Sequence, residues 1–179
     1  MKEFLLSVFG PRKEGVGIRV QAGKGRSIIV APEHVTASRA DVAIPGTNKG
    51  ISLGFNSRGD DLCVAGPVRG PGLSLRQGLV AHHELLTIHT PSGEFLPRKA
   101  YGVAIVNDSE PIIRNLAEGC DPSRHLVIYS SKAIKPGMSG SPVVDDDDQV
   151  VGALVKVARL NNRIGLIRLI TPRDVEWQD

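Results

Sequence analysis

No stretch of this chain sustains a helical repeat. Its apolar residues come in short runs, and 20 Gly and 12 Pro are spread between them through 179 residues. Val, Ile, Leu and Ala dominate those runs, and aromatics make up only 4% of the chain. A β-branched, turn-punctuated sequence of this kind favours strands joined by tight turns over long helices.

Six runs in the first half read as strands, over residues 17–21, 27–31, 41–44, 51–55, 61–65 and 73–77. A Pro/Gly-rich stretch over 66–72 interrupts the series, and 78–83 reads as a link to a second set over 84–90, 100–106, 111–113, 125–130, 141–144, 150–157 and 164–170. The chain is long enough to bury a core as one compact domain or two small, closely packed ones. At the end, 172–177 is placed to open a short C-terminal helix, with Thr171 as N-cap and Pro172 at the first helical position.

Charge and cysteine usage narrow the classes. The net charge of +3 comes from 22 basic and 19 acidic residues spread along the chain. No basic block or aromatic platform marks a nucleic-acid surface, so no nucleic-acid partner is expected. Cys63 and Cys120 fall at positions that the strand reading does not place side by side, so a disulfide framework is not expected, and reduced thiols in a cytoplasmic setting are the expectation. Phe4-Leu5-Leu6 follows Glu3, is interrupted by Ser7 and is ended by Gly10, so a signal peptide is not expected. Every longer apolar stretch is broken by charge, Gly or Pro before the ~20 residues a membrane helix needs.

The segment most loaded with chemistry is Gly137-Met138-Ser139-Gly140-Ser141-Pro142. Glycines around a serine allow backbone conformations in which successive N–H groups point at one spot beside the hydroxyl, where an oxyanion can sit. Losing one donor from such a hole costs about 2.7–4 kcal/mol of transition-state stabilisation. A serine of this kind needs a base, and imidazole, titrating near neutrality, can accept a proton and return it. Of five histidines, only His34, in Ala31-Pro32-Glu33-His34-Val35, stands where a strand gives way to a turn. His82 and His83 fall in the link, His89 inside a strand and His125 at a strand start, where packing or surface roles are expected.

The serine segment resembles the nucleophile motif of the trypsin-like (chymotrypsin-fold) serine proteases, Gly-x-Ser-Gly-Gly/Ala/Ser-Pro followed by a strand, a hairpin and a Gly-containing strand. The variant with Met138 and Ser141 is nearest to bacterial HtrA-type and RNA-virus members. The His34 segment is similar to the strand end that carries the family's base, with Pro32-Glu33 where small residues are usual. Asp61-Leu62-Cys63-Val64 resembles the strand start that carries the family's aspartate. Asp41-Val42-Ala43-Ile44 has a similar look but lies only seven positions after His34, and Asp60 is a one-residue alternative. Neighbouring strand residues face opposite ways, so at most one of Asp60 and Asp61 meets the base.

The resemblance implies an all-β fold of two six-stranded antiparallel barrels, residues 1–78 carrying base and acid and 79–179 the nucleophile. It implies a serine endopeptidase with catalytic His34, Asp61 and Ser139, an oxyanion hole from the N–H groups of Gly137 and Ser139, and a protein or peptide substrate. No metal or organic cofactor is implied. The substrate pocket would involve Ala133, Lys156 and Val157. With no aspartate near Ala133, cleavage after Lys or Arg is disfavoured, and Lys156 or Val157 would favour an acidic or small side chain. Residues 163–172 resemble the penultimate strand of HtrA-type domains, which extends the likeness over almost the whole chain and leaves no room for an appended PDZ domain. For a viral member, the host-cell cytoplasm would be the setting. The rival expectation is a protein of the same fold acting as an inactive binding or scaffolding module, with Pro32-Glu33 as the feature that favours it. Asp145 to Asp148 read as a solvated hairpin rather than a calcium loop, because they lack that loop's alternating spacing. Arg58-Gly59-Asp60 reads as a turn.

Overall fold

The structure is a computed structural model and describes residues 1–43, 50–90, 98–105 and 109–176. Two antiparallel sheets account for most of it. The first contains β1 (Leu5–Phe9), β2 (Glu14–Gln21), β3 (Arg26–Pro32), β4 (Arg39–Ala43), β5 (Gly50–Gly54), β6 (Asn56–Gly59) and β7 (Leu62–Arg69), in the order β5-β4-β1-β2-β3-β7-β6. The second contains β8 (Leu85–Ile88), β9 (Arg98–Val103), β10 (His125–Ser130), β11 (Pro142–Val144), β12 (Val150–Val157) and β13 (Ile164–Leu169), closed as β10-β13-β12-β11-β8-β9. A four-residue helix, α1 (Glu33–Thr36), follows β3, and α2 (Pro111–Leu116) lies between β9 and β10.

The second sheet is thus a closed six-stranded barrel, whereas the first is a seven-stranded half-barrel with β5 and β6 at its ends. Those two end strands have little to bury. β5 is largely exposed, and β6 is the polar run Asn56-Ser57-Arg58-Gly59.

Alternation along the inner strands explains the cores. Leu6, Val8, Ile29, Ala31, Val42, Cys63 and Ala65 fill the first half-barrel, while Leu86, Ile88, Ile128, Met138, Leu154 and Ile167 fill the second barrel. A third cluster joins them. Ile18, Val20, Ile28, Val30, Leu62 and Val64 from the first sheet pack on Val144, Val150, Ala153 and Ile170 from the second. Each such aliphatic side chain contributes about 1.5–3 kcal/mol on full burial, so the seam between the sheets is a core in its own right. It holds the two sheets against each other.

Several local readings need correction. Residues 111–113 form the start of α2, not a strand: Pro111 takes the first helical position, and Ile113 and Leu116 turn inward. Residues 73–77 form only single bridges, Val20 with Leu73 and Leu75 with Val150. Leu73 and Leu75 are instead buried in the seam. At the end of the chain, 172–175 make a turn rather than a helix, and the Asp174 side chain accepts from the N–H and hydroxyl of Thr171 at 2.9 and 3.0 Å. Ile44, Val106 and Trp177, which the expected elements included, lie outside the described residues. Among the described residues no helix is long and apolar enough to cross a membrane.

Candidate active site

β3 ends at Pro32, whose φ of −68° and ψ of 140° suit both proline and the N-cap of α1. One turn of helix then carries His34 toward the second sheet, where its ring meets Ser139. Pro32 and Glu33 do not distort this turn: the N–H of Ala37 donates to the Glu33 carbonyl at 2.8 Å, and the N–H of Glu33 donates to the Asp61 carbonyl at 3.0 Å.

Asp61 sits in the two-residue turn of the β6–β7 hairpin. Asp60 and Asp61 both have positive φ, 52° and 64°, as a hairpin turn matched to strand twist requires. The turn separates their side chains. Asp60 reaches Arg124 at 2.9 Å. Asp61 reaches His34, with Oδ1 accepting the backbone N–H at 2.8 Å and Oδ2 lying 2.5 Å from Nδ1. Asp41, the other alternative, is exposed on β4 opposite Phe9 and Ser52. A carboxylate placed at Nδ1 favours the imidazole tautomer with its hydrogen on Nδ1, in which Nε2 is the acceptor. Nε2 lies 3.2 Å from Ser139 Oγ.

The serine turn is shaped from both sides. Gly137 has φ 89° with open space around its Cα, so its glycine answers to backbone conformation alone. Gly140, at φ 94°, answers to space as well: a Cβ there would lie 1.9 Å from the Val16 carbonyl oxygen. β2 is pressed against the turn, and the Val16 N–H donates to the Ser139 carbonyl at 2.8 Å. Gly15 permits that approach, since its Cβ would lie 2.9 Å from the same carbonyl. The turn also docks on β12 through Gly140 N–H to Leu154 O at 2.7 Å and Leu154 N–H to Ser141 O at 3.0 Å. The N–H groups of Met138, Gly140 and Ser141 are used internally, whereas among the described residues those of Gly137 and Ser139 donate to no backbone carbonyl.

The remaining expected residues divide. Lys156 and Val157 line one cavity of about 650 Å³ with Pro111, Ile112 and Leu116 of α2. Ala133 is not part of that cavity; its carbonyl accepts from Arg98 Nε at 3.0 Å. A register shift between Leu154 and Lys156 leaves Lys156 exposed and Val157 half-buried beside Gly165.

The other histidines lie apart from the serine. His82 and His83 stack on each other, and His125 Nδ1 donates to the Asp121 carbonyl at 2.8 Å. His89 is held below its ordinary value by burial. Burial pushes the Cys63 thiol up, as a packing cysteine requires, and both cysteines are free. No group of His, Cys, Asp or Glu among the described residues is arranged to hold a metal.

Sequence reasoning missed Val16, whose main chain braces the Ser139 turn, and a cluster of Arg58, Arg124, Arg168 and Asp174 beside the Asp61 turn. The alternation Gly15-Val16-Gly17 was a legible signal for the first, since glycines within a strand mark close approach of another backbone.

No protein-family model matches the chain, and no curated protein matches it by sequence. Solved structures do match. An active-form protease of M. tuberculosis, Rv3671c, superposes with a TM-score of 0.68 at 18% identity, over 94% of this chain and 76% of that one. The serine protease of a human pathogenic astrovirus gives 0.65 at 18% identity, over 97% and 93%. The NSP4 proteinase of Equine Arteritis Virus gives 0.61 at 17% identity, over 94% and 78%. The strand order, the packing of the two sheets on each other and these likenesses together establish that this chain has the chymotrypsin-like serine protease fold.

Proposed function

We propose that this chain is a serine endopeptidase that cleaves peptide bonds through His34, Asp61 and Ser139 by way of an acyl-enzyme. The observation that carries the reading is the continuous line from Ser139 Oγ to His34 Nε2 at 3.2 Å and from His34 Nδ1 to Asp61 Oδ2 at 2.5 Å. Residues 1–78 supply base and acid, and 79–179 supply the nucleophile, as one working unit.

In this reading Ser139 Oγ attacks the carbonyl carbon of a protein or peptide substrate while His34 Nε2 takes its proton. Asp61 keeps the imidazole in the tautomer that leaves Nε2 free, and it stabilises the imidazolium that forms. The uncommitted N–H groups of Gly137 and Ser139 receive the negative oxygen. The imidazolium then protonates the leaving amine, and water, deprotonated by His34, releases the acyl group from Ser139. The chain's own groups handle every proton and charge in these steps, so the reading calls for no metal or organic cofactor.

Ala133, Lys156 and Val157 belong to the substrate-binding surface in this account. Residues 131–135 and Lys156 contribute three lysines and no carboxylate, so an acidic or small residue before the scissile bond suits it better than a basic one.

Digestion of a proteome-derived peptide library by wild type and Ser139→Ala tests the reading. New termini from wild type and none from the variant are expected. Equal cleavage by both would refute Ser139 as nucleophile, and no cleavage by folded wild type would favour a binding module of the same fold.

A further inference from the structure

Arg168 is a residue that β13 has no packing reason to carry. It follows Ile164-Gly165-Leu166-Ile167 in a strand buried on both faces and is itself fully buried. Its guanidinium forms a two-pronged pair with Asp174, Nη1 to Oδ2 at 3.0 Å and Nη2 to Oδ1 at 3.1 Å. Asp174 is 4% exposed and is itself held by the N–H and hydroxyl of Thr171. A buried ion pair gains little net stability over apolar packing, because desolvation offsets the attraction. What such a pair supplies is a fixed guanidinium fork.

The fork points across the seam at the hairpin that carries Asp61. Nε and Nη2 of Arg168 donate to the Gly59 carbonyl at 3.3 and 3.2 Å, and Nη2 also donates to the Arg58 carbonyl at 3.2 Å. Arg124 adds a second hold, donating to the Arg58 carbonyl at 3.2 Å and pairing with Asp60 at 2.9 Å. Arg58 returns a bond to the Asp174 carbonyl at 3.0 Å. These contacts fall where the backbone most needs them. Gly59, Asp60 and Asp61 have φ of 82°, 52° and 64°, three successive left-handed residues of which two carry side chains. A tip in that conformation persists only when its surroundings hold it.

We propose that Arg168, locked by Asp174 and seconded by Arg124, is a positioning residue that sets the Asp60-Asp61 turn and through it the orientation of the Asp61 carboxylate toward His34. It touches neither the serine nor the imidazole and acts through the carbonyls of Arg58 and Gly59. The inference rests on the triad reading for its effect on catalysis, but the alignment of Asp61 with His34 can be read without catalysis.

Arg168→Lys tests it, since lysine keeps the charge beside Asp174 but has no fork to span both carbonyls. Two readouts are taken on protein whose circular dichroism matches wild type: the downfield proton resonance of His34 Nδ1–H, assigned by its loss in Asp61→Asn, and the rate of fluorophosphonate labelling. The variant is expected to broaden or lose the resonance and to label at least about tenfold more slowly. A variant with the wild-type resonance and labelling within twofold, whatever its melting temperature, would overturn the proposal. If Arg168→Lys does not fold, the partly exposed Arg124→Gln is read the same way, with a several-fold slowing expected and no change overturning it. A wild type that shows the resonance but does not label, and loses the resonance in Arg168→Lys, would support the clamp and refute the protease reading. A wild type with neither signal would overturn both.

Discussion

The backbone N–H of Val16 donates to the carbonyl of Ser139 at 2.8 Å, so the Ser139 turn is tied to the sheet bearing His34 and Asp61. The 3.2 Å contact between His34 and Ser139 therefore depends on how closely β2 approaches that turn. Gly15 and Gly140 set the approach from either side.

Two glycines of the serine turn should respond differently to alanine. Gly137→Ala meets only the conformational penalty of a positive φ, about 1–3 kcal/mol, because its surroundings are open. Gly140→Ala adds a collision with the Val16 carbonyl and with Pro32. Urea unfolding should show the larger loss for Gly140→Ala, with fluorophosphonate labelling abolished in any folded fraction.

Asp61→Asn should lower the labelling rate by about 10⁴-fold, the loss expected when an amide replaces the group that selects the imidazole tautomer. Asp41→Asn, on the exposed face of β4, should leave it unchanged. Side-by-side rates with the same probe check both, and equal rates for the two variants would exclude Asp61 from the role.

His34, Asp61 and Ser139, which the structure brings together, were legible as candidates because each sits in a short segment whose residue types and strand-to-turn context are local. What sequence left open was the choice between Asp60 and Asp61. Two positive φ values at the hairpin tip decide it by sending one carboxylate to Arg124 and the other to His34. Arg168 was not legible at all: its partner Gly59 lies 109 positions away, and nothing local shows a charged residue in an apolar strand to be buried. The helix at Pro111–Leu116 was misread because three apolar residues fit either period, although Pro111 at a helix start was a usable cue. β6 carries no alternation, since all four of its residues are polar or glycine.

Asp174 should make stability fall in acid. Burial pushes its carboxyl up, but the Arg168 guanidinium and the Thr171 N–H and hydroxyl outweigh that and hold it below the usual carboxylate range. With the folded value below the unfolded one of about 3.9, its contribution is full above that pH and is lost as pH falls through the folded value. Asp174→Asn, which strands Arg168 without a counter-charge, should cost about 3–5 kcal/mol near neutrality. Urea titrations from pH 7 to 3 should show the gap between wild type and variant constant down to about pH 5, then narrowing.

Peptides with Lys or Arg before the scissile bond should be poor substrates. Lys132, Lys135 and Lys156 would repel them, and residues 131–135 offer no carboxylate. A positional-scanning library should show acidic or small residues preferred there, and a basic preference would refute the assignment of Ala133 and Lys156 to substrate binding.

Fluorophosphonate labelling of wild type and Ser139→Ala, with the adduct mapped by mass spectrometry, bears most directly on whether Ser139 is an activated nucleophile. The account predicts a single adduct on Ser139 in wild type and none in the variant. Folded wild type that stays unlabelled, or an adduct that persists in Ser139→Ala, would contradict it.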